Sequence, residues 1–279
     1  MKKFFLITLT ALLLLLFLSP IKSVYANEIP NALTVRSKFY TSFNTSTKER
    51  AWNIMLASKS LNKTLVEPNT EFSFNSVVGE RSLKRGYKTS KVIFDGEFTE
   101  GVGGGVCQVS STLYNAILTA GLQITEYHPH SLPVSYVAPS FDAMVSFGYA
   151  DLKFVNNTKF PVVILTDVED FRLTVIIKGA PKGEKYIRES QIVKTVSPPE
   201  AEIIVDTEFN YPELKKGERK FLAYPKDGYK SVGRLIKVDE KGRQTVVFSR
   251  KDYYSPQRGK IIEGISEIEP RLSENTLDN

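Results

Sequence analysis

Residues 103–121 read GGGVCQVSSTLYNAILTAG and place Cys107, the chain's single cysteine, between a run of glycines and a helix-like segment. Three successive glycines predict a tight loop, because they are poorly suited to the interior of a helix or a strand. The apolar side chains that follow recur at spacings of three and four residues, the period of one helix face: Val109, Leu113, Ala116, Ile117 and Ala120. Gly121 is suited to end this helix as its C-cap. The sequence therefore predicts a helix of about four turns with Cys107 at its N-terminus.

The position of Cys107 suits a thiol nucleophile. Free backbone N–H groups and the helix dipole at a helix N-terminus stabilise a thiolate. The N–H groups of Cys107 and Gln108, together with the Gln108 side chain, are candidate donors to the oxyanion of an acyl-transfer intermediate. We expect Gly103, Gly104 and Gly105 to let a substrate approach the sulfur, which makes them and Gln108 candidate substrate-binding residues. The alternatives are a simple turn for the glycines and a small buried hydrophobic residue for Cys107.

Both histidines of the chain lie about twenty residues after the cysteine. They follow residues 122–127, whose alternation of apolar and polar side chains predicts a strand. His130 is the candidate general base, because Pro129 holds its neighbour extended and Ser131 can orient its ring and contact the substrate. His128 is the alternative. A thiol on a helix with an imidazole near a strand end is the arrangement of papain-like enzymes.

A third catalytic residue is expected to orient the histidine ring and raise its basicity. Asp142 precedes another alternating segment and is the first choice, while Asp151 and Asn156 remain alternatives. One cysteine and two histidines are too few for a closed tetrahedral zinc site, so we expect neither a metal nor another cofactor.

The remaining segments predict an α+β domain over residues 27–195, built from helices and a mostly antiparallel sheet. A capping box at residues 46–49 predicts a helix to about residue 62. Predicted strands lie at residues 71–75, 92–94, 147–154, 162–165 and 171–178, with a turn at Asp95–Gly96. Pro198 and Pro199 mark a domain boundary. Short alternating segments between glycines then predict a small all-β module at residues 200–266, followed by a frayed tail at residues 267–279.

The first 26 residues predict a secretory signal peptide. Lys2 and Lys3 precede an apolar run at residues 4–18, and Val24-Tyr25-Ala26 suits a signal peptidase. The run is shorter than a transmembrane helix of roughly 20 residues, so the membrane is a partner only if the segment stays uncleaved. Its removal lowers the formal charge from +6 to +3. We expect no nucleic-acid partner from this weak excess, but a weak attraction to anionic wall polymers.

The chain resembles the VanW family, named for an accessory protein of vancomycin-resistance clusters. The resemblance covers roughly residues 35–180 and is most specific at GGGVCQ (103–108) and HSLPVSY (130–136); further matching segments are residues 50–54, 68–75, 78–81, 86–88, 109–115, 142–143 and 151–154. The segment around Cys107 is also similar to transglutaminase-like thiol enzymes. The C-terminal module loosely resembles the G-five domain, which implies binding of aminosugar polymers.

These observations lead to three hypotheses for a secreted protein of the bacterial cell envelope. The first is a cysteine-dependent acyl-transfer or amide-cleaving enzyme that acts on peptidoglycan peptides. The second is a non-catalytic module that binds peptidoglycan or another wall polymer at the loop before the helix. The third is a redox-sensitive thiol that forms a mixed disulfide with another protein, because a chain with one cysteine has no internal disulfide.

Overall fold

The computed structural model of the chain describes residues 33–94 and 96–266. The predicted signal peptide, the C-terminal tail and Asp95 of the predicted turn lie outside the described residues. Within the described part of the chain, no helix combines the length and apolarity needed to cross a bilayer.

The largest sheet has four strands, all antiparallel to their neighbours, in the order β1-β9-β8-β2. Its strands are β1 (Thr34–Ser42), β2 (Thr64–Val66), β8 (Val162–Glu169) and β9 (Arg172–Gly179). The alternating apolar side chains of β8 and β9 lie on the buried face of the sheet. Those that are fully buried are Val162, Ile164, Leu173, Val175 and Ile177. The strands predicted at residues 162–165 and 171–178 are confirmed.

Two long helices pack with this sheet. The first, α1 (Lys48–Leu61), is capped by Thr47, whose hydroxyl accepts a hydrogen bond from the Arg50 N–H. The predicted helix is therefore confirmed, although its cap lies one residue after the predicted Ser46. A later helix, α3 (Val106–Ala120), ends at Gly121 in the left-handed conformation, as the sequence predicts. Between them lie the short helix α2 (Phe74–Val78) and a 3₁₀ turn (Leu83–Arg85).

Two small sheets complete the N-terminal part. One has the order β3-β7-β6, from β3 (Glu71–Ser73), β6 (Gln123–Glu126) and β7 (Lys153–Val155). The other is a hairpin of β4 (Thr89–Phe94) and β5 (Glu97–Val102). The strand predicted at residues 147–154 is wrong for most of its length, because Gly148 lies at a φ of +78° in a turn closed by Ser146 and Ala150. Only the last residues of that segment join a sheet.

The C-terminal part consists of two three-stranded sheets. The first has the order β10-β13-β14, from β10 (Lys185–Val196), β13 (Gly228–Val238) and β14 (Gln244–Tyr254). The second has the order β11-β15-β12, from β11 (Glu202–Val205), β12 (Arg219–Ala223) and β15 (Lys260–Glu263). Because β10 pairs with β13 along its length, the boundary predicted near residues 195–200 divides a continuous sheet.

The helix α3 lies at the centre of the molecule. All of its side chains are buried except those of Cys107 and Thr119. Its polar residues are therefore inside the protein and bond to backbone carbonyls; Ser110 and Asn115, for example, donate to the carbonyls of Ala143 and Phe141. The fold is an α+β arrangement dominated by antiparallel strands around one buried helix.

Candidate active site

Cys107 occupies the second position of α3, where the backbone turns from a loop into the helix. Gly105 precedes the helix at a φ of +106°, a conformation that favours glycine. The Cys107 side chain is partly exposed, and its Sγ lies 3.5 Å from the carbonyl oxygen of Val145. The thiol is thus held at a helix N-terminus and can still be reached from outside.

His130 and Asp142 form a buried pair beside the thiol. The Nδ1 of His130 lies 2.7 Å from Oδ2 of Asp142, and the His130 backbone N–H donates to the same oxygen at 2.7 Å. His130 is 4% exposed and Asp142 is fully buried. Since an ionised carboxylate only accepts hydrogen bonds, Nδ1 carries the proton and the other ring nitrogen is directed elsewhere. Both residues lie on the irregular segment between β6 and β7.

Cys107 and His130 each change the pKa of the other group. Burial lowers the pKa of His130, but its bonds to Asp142 and Cys107 outweigh burial and raise it to about 9. Burial raises the pKa of the Cys107 thiol, but its bond to His130 and the charges of His130 and Arg81 leave it lowered. The pair therefore favours the thiolate and the imidazolium more than the two free groups do.

The Asp142 carboxyl stays ionised in spite of its position in the interior. Burial raises its pKa, but the hydrogen bond and charge of His130, the charge of Arg250 and a hydrogen bond from Tyr254 leave it lowered. The carboxylate can therefore stabilise the imidazolium, and it holds the neutral imidazole in one tautomer and one orientation.

The structure corrects the oxyanion-binding role expected of Gln108. Its amide oxygen accepts from Arg50 Nη2 at 2.9 Å, and its amide nitrogen donates to Thr41 Oγ1 and to the Ser42 carbonyl, both at 3.0 Å. Its backbone N–H donates to the Gly105 carbonyl at 3.0 Å. Gln108 thus links α3 to α1 and to the end of β1 through hydrogen bonds. Of the predicted donors to an oxyanion, the backbone N–H of Cys107 remains.

The structure also gives a different reason why residues 103 and 104 are glycines: they are closely packed. Gly103 and Gly104 are buried. A Cβ at residue 104 would lie 2.6 Å from the Lys91 carbonyl oxygen, and one at residue 103 would lie 2.8 Å from the Cβ of Arg81. They let the loop pack closely on β4 and on Arg81 and leave no open space there. Gly105 is partly exposed, and contact of these glycines with a substrate stays a prediction.

The alternative site residues have other partners. His128 binds Glu126 at 2.9 Å, with 38% of its side chain exposed. Asp151 accepts from the Ser73 hydroxyl at 2.5 Å and the Asn75 N–H at 2.8 Å, while Asn156 donates to the carbonyls of Val66 and Phe160. Ser131 is exposed, and its carbonyl accepts from the Ser255 N–H. The His130 ring is oriented by Asp142, and the roles expected of Ser131 in ring orientation and substrate contact stay without structural support.

Several residues near the site were missed by the sequence reasoning. The Tyr136 ring lies edge-on to His130, with 6.5 Å between ring centroids, and Arg81 carries a charge that acts on the thiol. Arg250 and Tyr254 contact Asp142 from β14. A signal for these last two was present in the sequence: Arg250, Asp252 and Tyr254 recur at every second residue, which places them on one face of β14.

A groove of about 1020 Å³ is lined in part by the turn that follows Val145, the residue whose carbonyl oxygen contacts Cys107 Sγ. In that turn the Phe147 and Tyr149 rings are 55% and 82% exposed. Charged groups from β3, β6 and β7 also line the groove: Glu71, Glu126 and Lys153. Cys107, His130 and Asp142 are not among the lining residues, and the groove offers aromatic and polar contacts to a ligand outside this set.

The fold and the site together define an α+β protein with a cysteine, a histidine and an aspartate joined at the N-terminus of a buried helix. Residues 49–178 match the family described as VanW like protein. The resemblance to the VanW family is therefore confirmed, and the assignment applies to that segment, which holds all three residues.

Two curated relatives match the chain. The uncharacterised protein YoaR of Bacillus subtilis is 49% identical over 168 residues, which is 55% of each chain. The vancomycin B-type resistance protein VanW of Enterococcus faecalis is 30% identical over 158 residues, 51% of this chain and 58% of that one. The chain thus spans somewhat more than half the length of these relatives.

Among solved structures, a protease domain has a weak likeness to part of the chain. It is the G5 domain of IgA1 protease, with 16% identity and a TM-score of 0.19, covering 32% of this chain and 100% of that one. The resemblance of the C-terminal module to the G-five domain stays a prediction.

Proposed function

We propose that the protein is a cysteine-dependent enzyme that cleaves or transfers acyl groups. The observation that carries this proposal is the buried His130–Asp142 hydrogen bond of 2.7 Å, together with the thiol of Cys107 at a helix N-terminus. The interaction of His130 with Cys107 raises the pKa of the imidazole and lowers that of the thiol. Cys107 is the nucleophile, His130 the general acid and base, and Asp142 the residue that orients the imidazole. This local arrangement is shared with papain-like and transglutaminase-like enzymes, and the likeness extends to the arrangement only.

The chemistry follows from the charges of the pair. The Cys107 thiolate attacks the carbonyl carbon of an amide, and the new oxyanion lies toward the N–H of Cys107. As the C–N bond breaks, the His130 imidazolium gives its proton to the leaving nitrogen, which releases an amine and leaves a thioester. Water or an acceptor amine then attacks the thioester, and the neutral imidazole takes its proton. The C–S bond breaks, and the thiolate and imidazolium are restored.

We further propose peptidoglycan peptides in the cell envelope as the substrates. The predicted signal peptide supports a location outside the membrane, and the relative named for vancomycin resistance supports a connection with the cell wall. The groove of about 1020 Å³, whose lining includes Phe147 two residues after Val145, has room for a ligand larger than a single amino acid.

A second candidate function is binding of a wall polymer without catalysis. The observation in its favour is that the groove is lined by exposed aromatic rings and charged groups, while Cys107 is absent from its lining. In this case Cys107→Ser keeps full binding to wall fragments.

The experiment that separates the two candidates is the pH dependence of Cys107 alkylation by iodoacetamide, measured on the purified protein and on His130→Ala. We expect the parent thiolate to form well below the free thiol pKa of roughly 8.5, and the variant to lose this shift. His128→Ala is the matched control and is expected to keep the parent profile. Mass spectrometry of muropeptides incubated with the parent and with Cys107→Ser then tests turnover. An ordinary pKa of the Cys107 thiol together with unchanged muropeptides would contradict the proposed enzymatic function.

A further inference from the structure

We propose that Tyr254, with the support of Arg250, is a positioning residue that acts through Asp142 on His130, so that the β10-β13-β14 sheet is part of the active site. Both residues lie on β14, outside the segment that matches the VanW family. The inference rests on the proposed function, and it adds a component of the site that the Cys107–His130–Asp142 set lacks.

One carboxylate oxygen of Asp142 bonds to His130 in the N-terminal part of the chain, and the other bonds to Tyr254 in the C-terminal part. Oδ2 accepts both hydrogen bonds from His130, whereas Oδ1 accepts the Tyr254 hydroxyl at 2.5 Å. The Tyr254 oxygen itself accepts the Ser140 N–H at 2.9 Å. Because that bond occupies the oxygen from the other side, the hydroxyl proton is directed at the carboxylate. The carboxylate plane, and with it the position of Oδ2, is therefore fixed by β14.

Arg250 holds the backbone of the same residue. Its Nη1 donates to the Asp142 carbonyl at 2.9 Å, and its Nη2 lies 3.5 Å from Oδ1. Its Nε donates to Asp252 at 2.6 Å, so a second carboxylate balances its charge. The guanidinium is 1% exposed and lies 4.6 Å from the centroid of the Tyr127 ring. Because Asp252 also pairs with Arg250, the arginine can hold the Asp142 backbone while the Asp142 carboxylate remains available to His130.

The loop that carries His130 and Asp142 is joined to the sheet at further points. The Ser140 and Ser231 hydroxyls are 2.7 Å apart, and the Ser255 N–H donates to the Ser131 carbonyl at 2.7 Å. At Gly233 a Cβ would lie 2.7 Å from the Cβ of Ser140, so β13 contacts the loop directly. The loop has little regular structure of its own, and these contacts are what fix its conformation.

The test is the alkylation profile of Cys107 in Tyr254→Phe, with Tyr253→Phe as the matched control. Tyr253 is the next residue along β14, but its side chain is 48% exposed, whereas Tyr254 is 1% exposed. We expect Tyr254→Phe to move the alkylation midpoint upward by about one pH unit, about a tenfold loss of thiolate below the midpoint. Tyr253→Phe is expected to keep the parent midpoint, and far-UV circular dichroism checks that both variants are folded.

A double-mutant cycle with Asp142→Asn shows whether Tyr254 acts through Asp142. We expect Tyr254→Phe to add no further shift in the Asp142→Asn background. A full additional shift there, or a parent profile in Tyr254→Phe alone, overturns the inference. If Asp142→Asn and His130→Ala shift the profile while Tyr254→Phe does not, the proposed function stands and the inference alone fails. A parent thiol of ordinary pKa overturns both. Should Tyr254→Phe be unfolded, Ser231→Ala replaces it, and a profile identical to the parent's then counts against the inference.

Discussion

Asp142→Asn is the substitution that tests the candidate site most directly, because it preserves the shape of the side chain and removes its charge. The Asp142 carboxylate accepts from His130 on one oxygen and from Tyr254 on the other, with Arg250 close by. An asparagine has one acceptor oxygen and one donor nitrogen. If its oxygen faces His130, its NH₂ group meets the Tyr254 hydroxyl and Arg250; if it is flipped, the NH₂ group meets the His130 N–H groups. Either orientation loses hydrogen bonds that the carboxylate makes.

The size of the effect follows from these contacts. A hydrogen bond to a charged group is worth about 1.5–3 kcal/mol, and one pKa unit corresponds to about 1.4 kcal/mol. Loss of the charged partner at Nδ1 is therefore expected to lower the pKa of His130 by about one to two units. The imidazolium then stabilises the thiolate less, so alkylation of Cys107 at pH 6 is expected to slow by about tenfold or more. The free energy of unfolding is expected to fall by about 3–5 kcal/mol, because the substitution breaks a buried ion pair.

The pH dependence of this destabilisation gives a further check. The pKa of His130 in the folded protein is raised to about 9, so its stabilisation is complete below its ordinary pKa of about 6.5 and is lost as the pH rises through about 9. The pKa of Asp142 is lowered, so its stabilisation is present above its ordinary pKa of about 3.9 and is lost at lower pH. Urea denaturation is expected to show the largest difference between parent and Asp142→Asn at about pH 4 to 6.5. An equal difference at pH 6 and pH 10, or an unchanged alkylation profile, would refute the reasoning.

Three further outcomes are expected. His128→Ala changes the free energy of unfolding by less than about 0.5 kcal/mol in urea denaturation, since its ring is partly exposed and bonds to Glu126 at the surface; a larger loss would contradict this. Gly104→Ala destabilises by about 1–3 kcal/mol, because the new Cβ would lie 2.6 Å from the Lys91 carbonyl oxygen; an unchanged thermal midpoint would mean that the loop moves away freely. Gln108→Leu costs about 1–3 kcal/mol, because Arg50 loses the acceptor of its Nη2; calorimetry measures the loss, and Gln108→Glu, which keeps the acceptor, is expected to lose less.

The sequence predicted well those elements whose signal is local. The period of the apolar residues and the glycine at its end were sufficient to predict α3 and its C-cap. The same is true of β9 and of the first half of β8, which was predicted at residues 162–165 and extends to Glu169. Residues 147–152 show a similar alternation and form a turn instead, because the exposed Phe147 and Tyr149 rings have no sheet to pack on.

Residue types near the site were predicted more easily than their contacts. Cys107, His130 and Asp142 are brought together as the sequence reasoning expected, because the candidate residues were few and close in the chain. The bonds of the Gln108 side chain and the close packing of the glycines were missed, since their partners come from α1, β1 and β4. The Tyr254 contact was beyond local patterns altogether, because it joins residues 112 positions apart.

The hydrogen bond between Tyr254 and Asp142 also has a consequence for when the protein becomes reactive. During synthesis a chain folds from its N-terminal end as it emerges, and Cys107, His130 and Asp142 emerge more than a hundred residues before β14. If Tyr254 positions Asp142 as proposed, Asp142 Oδ1 gains its tyrosine partner only when that strand joins its sheet. In the proposed enzyme the full reactivity of Cys107 is therefore expected late in folding, after the last long strand is in place.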